Sequence, residues 1–310
     1  MAKAEAYQGP RVDGVSQSML TAFFDCEERH RLSLEGWQTP GTKDAFTFGS
    51  TWHWMMEQDV RAYIAGNAPY AGKALSALWK RSAQAKAIEA EEQEQILAKA
   101  IPMREGYLKK HGKQDARRIW LEPEQVFDVA LDGYRLRGCI DGIVRKGRSG
   151  KPWIVERKTT SGDVGDSYHD LLNFDFQSMF YLTAGEIHLG EKIGGILYDV
   201  TRKPTIRQKQ NESLAEYSKR IEEAYVGDPD RHFARYEIAV GKKRREEFVE
   251  ELQKKLSRYS AWFSAGCNSV RNESACVKRW KCEYIPICAG GGTAGFVQTG
   301  RLFSELEEEE

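Results

Sequence analysis

The sequence predicts an α/β fold, a mixed central sheet flanked by helices, with a helical N-terminal region and a cysteine-bound C-terminal segment. Three observations predict it. Helical periodicity runs through most of the first 111 residues. The period then changes to two between residues 118 and 158, with turn residues at two points. From residue 174 to 263, strand-like and helix-like stretches alternate.

The first helical pattern begins at Ser16 or Ser18, either of which suits an N-cap, and puts Met19, Leu20, Phe23 and Phe24 on one face. A second helix is predicted over 48–65, carrying His53, Met56 and Val60 at helical spacing. Residues 71–111 are rich in Ala, Glu, Gln and Lys and predict one or two exposed helices. Strands follow over 118–130, 134–145 and 153–158 as an antiparallel meander, turned by Asp132-Gly133 and by residues 147–150. Further on, the pattern predicts helices over 174–187, 213–225 and 244–263, with strands over 195–202 and 233–240.

A chain of 310 residues can bury one large core or two modest ones. Forty-six basic residues balance 46 acidic ones, so attraction to nucleic acid has to come from a local arrangement. The acidic run from Glu305 reads as a solvated tail. No stretch reaches the roughly 20 apolar residues of a membrane span, and residues 1–11 lack the apolar core of a signal peptide. A cytoplasmic protein is expected, in which clustered cysteines suggest a metal rather than disulfides.

Asp141 lies in Gly-Cys-Ile-Asp-Gly-Ile-Val and Glu156 in Trp-Ile-Val-Glu-Arg-Lys-Thr, so both carboxylates interrupt apolar strand sequence. Burying an unpaired carboxylate is costly, and two of them in one pocket repel unless a cation lies between them. The turn over 147–150 can bring their strands side by side. Lys158, two residues beyond Glu156, shares its strand face. Mg2+ or Mn2+ would accept oxygen ligands from Asp141, Glu156 and the backbone carbonyl of Arg157, with Lys158 positioning a water and offsetting transition-state charge. The ordinary alternative is a Glu156–Lys158 ion pair with Asp141 as a turn residue.

These residues resemble the PD-(D/E)XK nuclease superfamily, and specifically its RecB-like branch. Ile140-Asp141 stands for the family's Asp motif, and Glu156-Arg157-Lys158 for its Glu-x-Lys motif. Gln177-Ser178-Met179-Phe180-Tyr181 matches the branch's Gln-x-x-x-Tyr helix. Phe48-Gly49-Ser50-Thr51-Trp52-His53 resembles the helix whose His helps to bind metal. The resemblance implies a restriction-endonuclease-like core and hydrolysis of DNA, most often from single-stranded ends. It assigns His53 to the metal, and it assigns Gln177 and Tyr181, one helical turn apart, to orienting Lys158 or touching DNA.

Cys276, Cys282 and Cys288 are separated by five residues each time, and Cys26 lies far upstream. Three late thiols plus a distant fourth resemble the iron–sulfur staple of AddB-type and CRISPR-adaptation nucleases of this branch. The implied ligand is a [4Fe–4S] cluster, with zinc as the alternative. The family commonly leaves only two residues between the first two late cysteines, which makes Cys267 a substitute ligand. Cys139, in the strand before Asp141, reads as a small buried hydrophobe.

Gly241-Lys242-Lys243-Arg244-Arg245 is the densest basic run; it opens a helix and reads first as a solvated helix start, second as a phosphate contact. Arg202, Lys203, Trp37 and Trp52 are candidates for lining a channel for single-stranded DNA. The sequence divides into an N-terminal helical region over 1–115 carrying Cys26 and His53, a nuclease core over 116–265, and a cysteine-rich segment with the acidic tail over 266–310. It carries no Gly-x-x-x-x-Gly-Lys-Ser/Thr motif, so any helicase motor belongs to another chain. The expectation is a metal-dependent exonuclease on single-stranded DNA, possible partners being a helicase or recombination protein. A structure-specific endonuclease and a DNA-binding recombination or CRISPR-adaptation factor are the alternatives.

Overall fold

Seven of the nine strands among the described residues build two of the three sheets in the computed structural model, which describes residues 7–40, 48–173, 175–277 and 281–298. They are β1 (Ile119–Glu122), β2 (Gln125–Leu131), β3 (Tyr134–Ile140), β4 (Gly142–Arg145), β5 (Pro152–Thr160), β6 (Gly195–Arg202) and β7 (Phe233–Ala239). The central sheet has the order β1-β4-β5-β6-β7; only the β5–β6 pair is parallel. β6 is buried along nearly its whole length, as a strand covered on both faces must be. β2 and β3 form a separate antiparallel ribbon. Its turn places Asp132 at φ 48° and Gly133 at φ 77°, the two positive angles that a tight right-twisted hairpin demands.

The helices that frame the two cores and the site include α1 (Gln17–Asp25), α2 (Glu27–Leu34), α3 (Phe48–Ile64), α4 (Ala90–Tyr107), α5 (Phe176–Leu189), α6 (Leu214–Gly227) and α7 (Lys242–Ser264), with a shorter helix over Gly72–Trp79. Ser16 caps α1 by accepting the Met19 N–H, and Ser213 with Glu216 closes a capping box on α6. One core lies between the sheet, the ribbon, α1, α5 and α7, around Leu20, Phe127, Ile154, Phe180 and Leu256. A second core joins α3, α4 and α6 around Trp52, Met56, Met103, Ile221 and Tyr225. Within the second, Arg104 on α4 and Asp59 on α3 are both buried and form an ion pair.

Three expectations are corrected. The helices of residues 71–111 are not exposed: Leu75, Trp79, Leu97, Ala100 and Met103 are buried, because alanine-rich helices approach α3 and α6 closely enough to form the second core. Trp52 is in that core, edge-on to Tyr107, and cannot line a channel. The strand predicted over 134–145 breaks at Asp141, where the chain leaves the ribbon for the central sheet. The helix start at Phe174 and the acidic tail lie outside the described residues.

The C-terminal segment folds back on α1 and α2. Val297–Gln298 pairs antiparallel with Trp37–Gln38. The Tyr284 hydroxyl donates to the Trp37 carbonyl at 2.7 Å, and the Asn272 amide to the Asp25 carbonyl at 2.7 Å. Among the described residues no helix is long and apolar enough to cross a membrane.

Candidate active site

The antiparallel register of β4 and β5 ends with Gly142 opposite Val155, so the next step along the chain sets Asp141 opposite Glu156. Asp141 is therefore at the mouth of the sheet, on a bend between two strands. Its Oδ1 is hydrogen-bonded to His53 Nδ1 at 3.0 Å. Its Oδ2 accepts the Arg157 backbone N–H at 2.7 Å, and its carbonyl accepts the Arg157 guanidinium at 2.5 Å. Burial opposes a charge on Asp141, but His53 and Arg157 outweigh it and hold its carboxyl below the usual value.

Glu156 is 1% exposed. Its Oε1 lies 2.9 Å from the Lys158 ammonium, while Oε2 is buried with no hydrogen-bond partner. Burial, then the charge of Asp141, pushes its carboxyl up to about 7 against the pull of Lys158. Lys158 donates to Gln177 Oε1 at 2.8 Å and lies 3.2 Å from Asp175 Oδ2. Burial disfavours its charge, yet Glu156 and Asp175 hold the ammonium protonated well above the ordinary range. Tyr181, one turn after Gln177, packs edge-on to Phe127. Burial and then the Glu156 charge raise its phenol, while its contact with Gln177 works the other way.

The fold thus gathers His53, Asp141, Glu156, Lys158, Gln177 and Tyr181. Arg157 sits between Glu156 and Lys158, but strand alternation sends its side chain to the other face. Three acids escaped the sequence reading. Asp175 is the N-cap of α5, two residues before Gln177, and a capping Asp ahead of an apolar helix was a readable signal. Glu57 stands one helical turn after His53. Glu124 meets Glu57 only through the tertiary fold; burial, then Glu57 and Asp141, push its carboxyl up to about 7. Cys139 is half-buried rather than enclosed and feels the charges of Glu124 and Asp141, because it is the last residue but one of β3.

Among the described residues no three His, Cys, Asp or Glu side chains converge on a common point as a ready metal cage. The fit for a hard cation rests instead on two facing carboxylates, one with a buried oxygen lacking any partner. That donor set suits an ion that keeps several of its waters. All six cysteines are free thiols. Cys26, between α1 and α2, lies within electrostatic reach of Cys282 and Cys288, and Cys282 of Cys276. The Cys282 N–H donates to the Cys276 carbonyl at 2.9 Å. Cys267 adopts φ 57° and feels Glu35 and Arg31, its thiol raised first by burial.

The basic run behaves as a helix start. Lys242 and Lys243 approach Glu246 and Glu247 at 3.6 and 3.8 Å, while Arg245 turns inward to Glu186 and to the Ile193 carbonyl. Arg202 and Lys203 serve the strand end, where the Arg202 carbonyl accepts Tyr225 and the Lys203 N–H meets the Thr160 carbonyl. Trp37 is half-buried, its indole N–H donating to Glu35 at 3.0 Å.

A mixed sheet that sets Asp opposite Glu-x-Lys at one mouth defines the protein as a member of the class of metal-dependent nucleases. The chain belongs to the PD-(D/E)XK nuclease superfamily, whose family model matches residues 14–289. Enzymes of this superfamily typically use Mg2+ or Mn2+. A search of solved structures finds SSO0001 at 14% identity, covering 69% of this chain and 83% of that one with a TM-score of 0.26. No curated protein matches the chain.

Proposed function

We propose that this protein is a deoxyribonuclease of the RecB-like branch that degrades single-stranded DNA from its ends, with a divalent metal held by Asp141 and Glu156. The observation that carries this reading is the buried, partnerless Oε2 of Glu156 one register step across from Asp141. When bound there, Mg2+ or Mn2+ would supply Lewis-acid polarisation of the phosphodiester and lower the pKa of a water. His53 is hydrogen-bonded to Asp141 from α3 and would be a further ligand through its imidazole, and the Arg157 carbonyl is a further oxygen candidate. Lys158, kept charged by its two carboxylates, places an ammonium where negative charge grows on the phosphoryl oxygens. Gln177 aims that ammonium, and Tyr181 braces Gln177.

Cys26, Cys276, Cys282 and Cys288 are the proposed ligands of a [4Fe–4S] cluster, with zinc as the second candidate. Four soft sulfur donors, none in a disulfide, support this assignment, with Cys26 and Cys276 both acting electrostatically on Cys282. A bound cluster would tie the C-terminal segment to the junction of α1 and α2. A helicase or recombination protein on another chain would deliver the strand.

The test is degradation of end-labelled linear single-stranded DNA beside a circular substrate in Mn2+. Loss of the linear strand with an intact circle is expected, and labels at the 5′ and 3′ ends report direction. Cutting of the circle makes the protein an endonuclease. Binding without cutting overturns the hydrolase assignment.

A further inference from the structure

Arg157 is 4% exposed, and among the described residues its guanidinium has no carboxylate within ion-pair distance. The other buried arginines behave differently. Arg104 pairs with Asp59 at the heart of the second core, and Arg137 meets Asp128 at 3.4 Å. An unpaired buried cation is costly, so some other requirement keeps it. Asp199 is its register partner across the parallel β5–β6 ladder, on the same sheet face. Yet Asp199 pairs with Arg235 at 3.0 Å and leaves Oδ1 partnerless, while Arg157 Nε is also partnerless. The guanidinium passes over this neighbouring carboxylate and donates to the backbone carbonyl of Asp141 instead.

That carbonyl belongs to the single residue between the two strands. β3 ends at Ile140 in the ribbon, and β4 starts at Gly142 in the central sheet. We propose that Arg157 is a positioning residue for Asp141, a two-point clamp whose backbone N–H fixes Oδ2 while its guanidinium fixes the main chain of the same residue. With His53 on Oδ1, the clamp sets both the place and the rotation of the carboxylate. The middle residue of Glu-x-Lys thus works on the opposite sheet face from its neighbours. This inference rests on the metal-dependent nuclease reading, because it gives Asp141 the role of ligand.

The test compares Arg157→Met and Arg157→Gln with wild type in two measurements. Binding of Mn2+ alone to the DNA-free protein is followed by electron paramagnetic resonance of free Mn2+, and the metal-free melting midpoint is recorded. Removing an orienting partner of a metal ligand typically weakens metal affinity about 10–100-fold. Arg157→Met should show such a loss while the metal-free protein still melts cooperatively. Arg157→Gln keeps one N–H donor and should recover part of the affinity. Wild-type Mn2+ affinity in Arg157→Met overturns the clamp, and so does unfolding of both variants, which would make Arg157 purely structural. A wild-type protein that binds no Mn2+ sinks the nuclease reading itself, and the clamp with it.

Discussion

Asp175 Oδ2 lies 3.2 Å from Lys158 Nζ, so the lysine of Glu-x-Lys is held between a carboxylate of its own strand and one from the N-terminus of α5. Asp175 also accepts the Ser178 hydroxyl at 2.7 Å and the Tyr198 hydroxyl at 3.4 Å. Asp175→Asn keeps the shape and removes the charge. Cleavage should fall by about 10-fold, in the range typical of lost supporting contacts, with the helix content by circular dichroism unchanged. Full activity would show that Glu156 and Gln177 hold the lysine unaided.

Asp141→Ala and Lys158→Ala should each remove at least about 10²-fold of the DNA cleavage rate while leaving a cooperative melting transition. Either variant cutting at the wild-type rate would displace the site.

The raised carboxyl of Glu156 fixes a pH dependence. The folded protein holds that proton up to about 7, whereas the unfolded chain releases it near 4.5. The folded state therefore binds more protons between these values, and metal-free stability declines as pH rises through that window. The slope contributed by this one group is at most about 1.4 kcal/mol per pH unit. Melting in EDTA from pH 5 to 8 should show the decline, Glu156→Gln should make it shallower, and Mn2+ should oppose it. An identical slope in Glu156→Gln would remove Glu156 as its source.

Protein purified without oxygen should be brown and absorb in the visible blue. Cys26→Ser or Cys282→Ser should bleach it and lower its melting midpoint. A colourless protein carrying zinc replaces the cluster, and one with neither metal dismisses the site.

Asp59→Ala strands the fully buried Arg104 and should destabilise the second core by about 3–5 kcal/mol. Denaturant unfolding measures it; a loss below about 1 kcal/mol would mean that water reaches the guanidinium.

Much of the fold was legible because it is written in local periodicity. β6 spans the predicted residues 195–202, and Asp132-Gly133 makes the predicted hairpin turn. The juxtaposition of Asp141, Glu156 and Lys158 was legible because carboxylates inside apolar strand sequence demand compensation. What escaped depends on distant pieces. Nothing near residues 71–111 says that their alanine faces meet α6, and nothing local tells a buried Trp52 from one that stacks on DNA. The break at Asp141 was hidden because Ile140 and Gly142-Ile143 continue the apolar alternation, while the group that replaces the ladder, Arg157, lies 16 residues away. Asp175 was readable as a cap, but its contact with Lys158 needed the crossing of α5 over β5.

His53 belongs to the helix that carries Trp52, Met55 and Met56 into the second core, whereas Glu156 rises from the sheet that supports the first. The imidazole–aspartate contact is consequently a seam between separately packed bodies of side chains. Heat that loosens the seam would silence the enzyme while both halves still looked native to spectroscopy, so inactivation should precede melting.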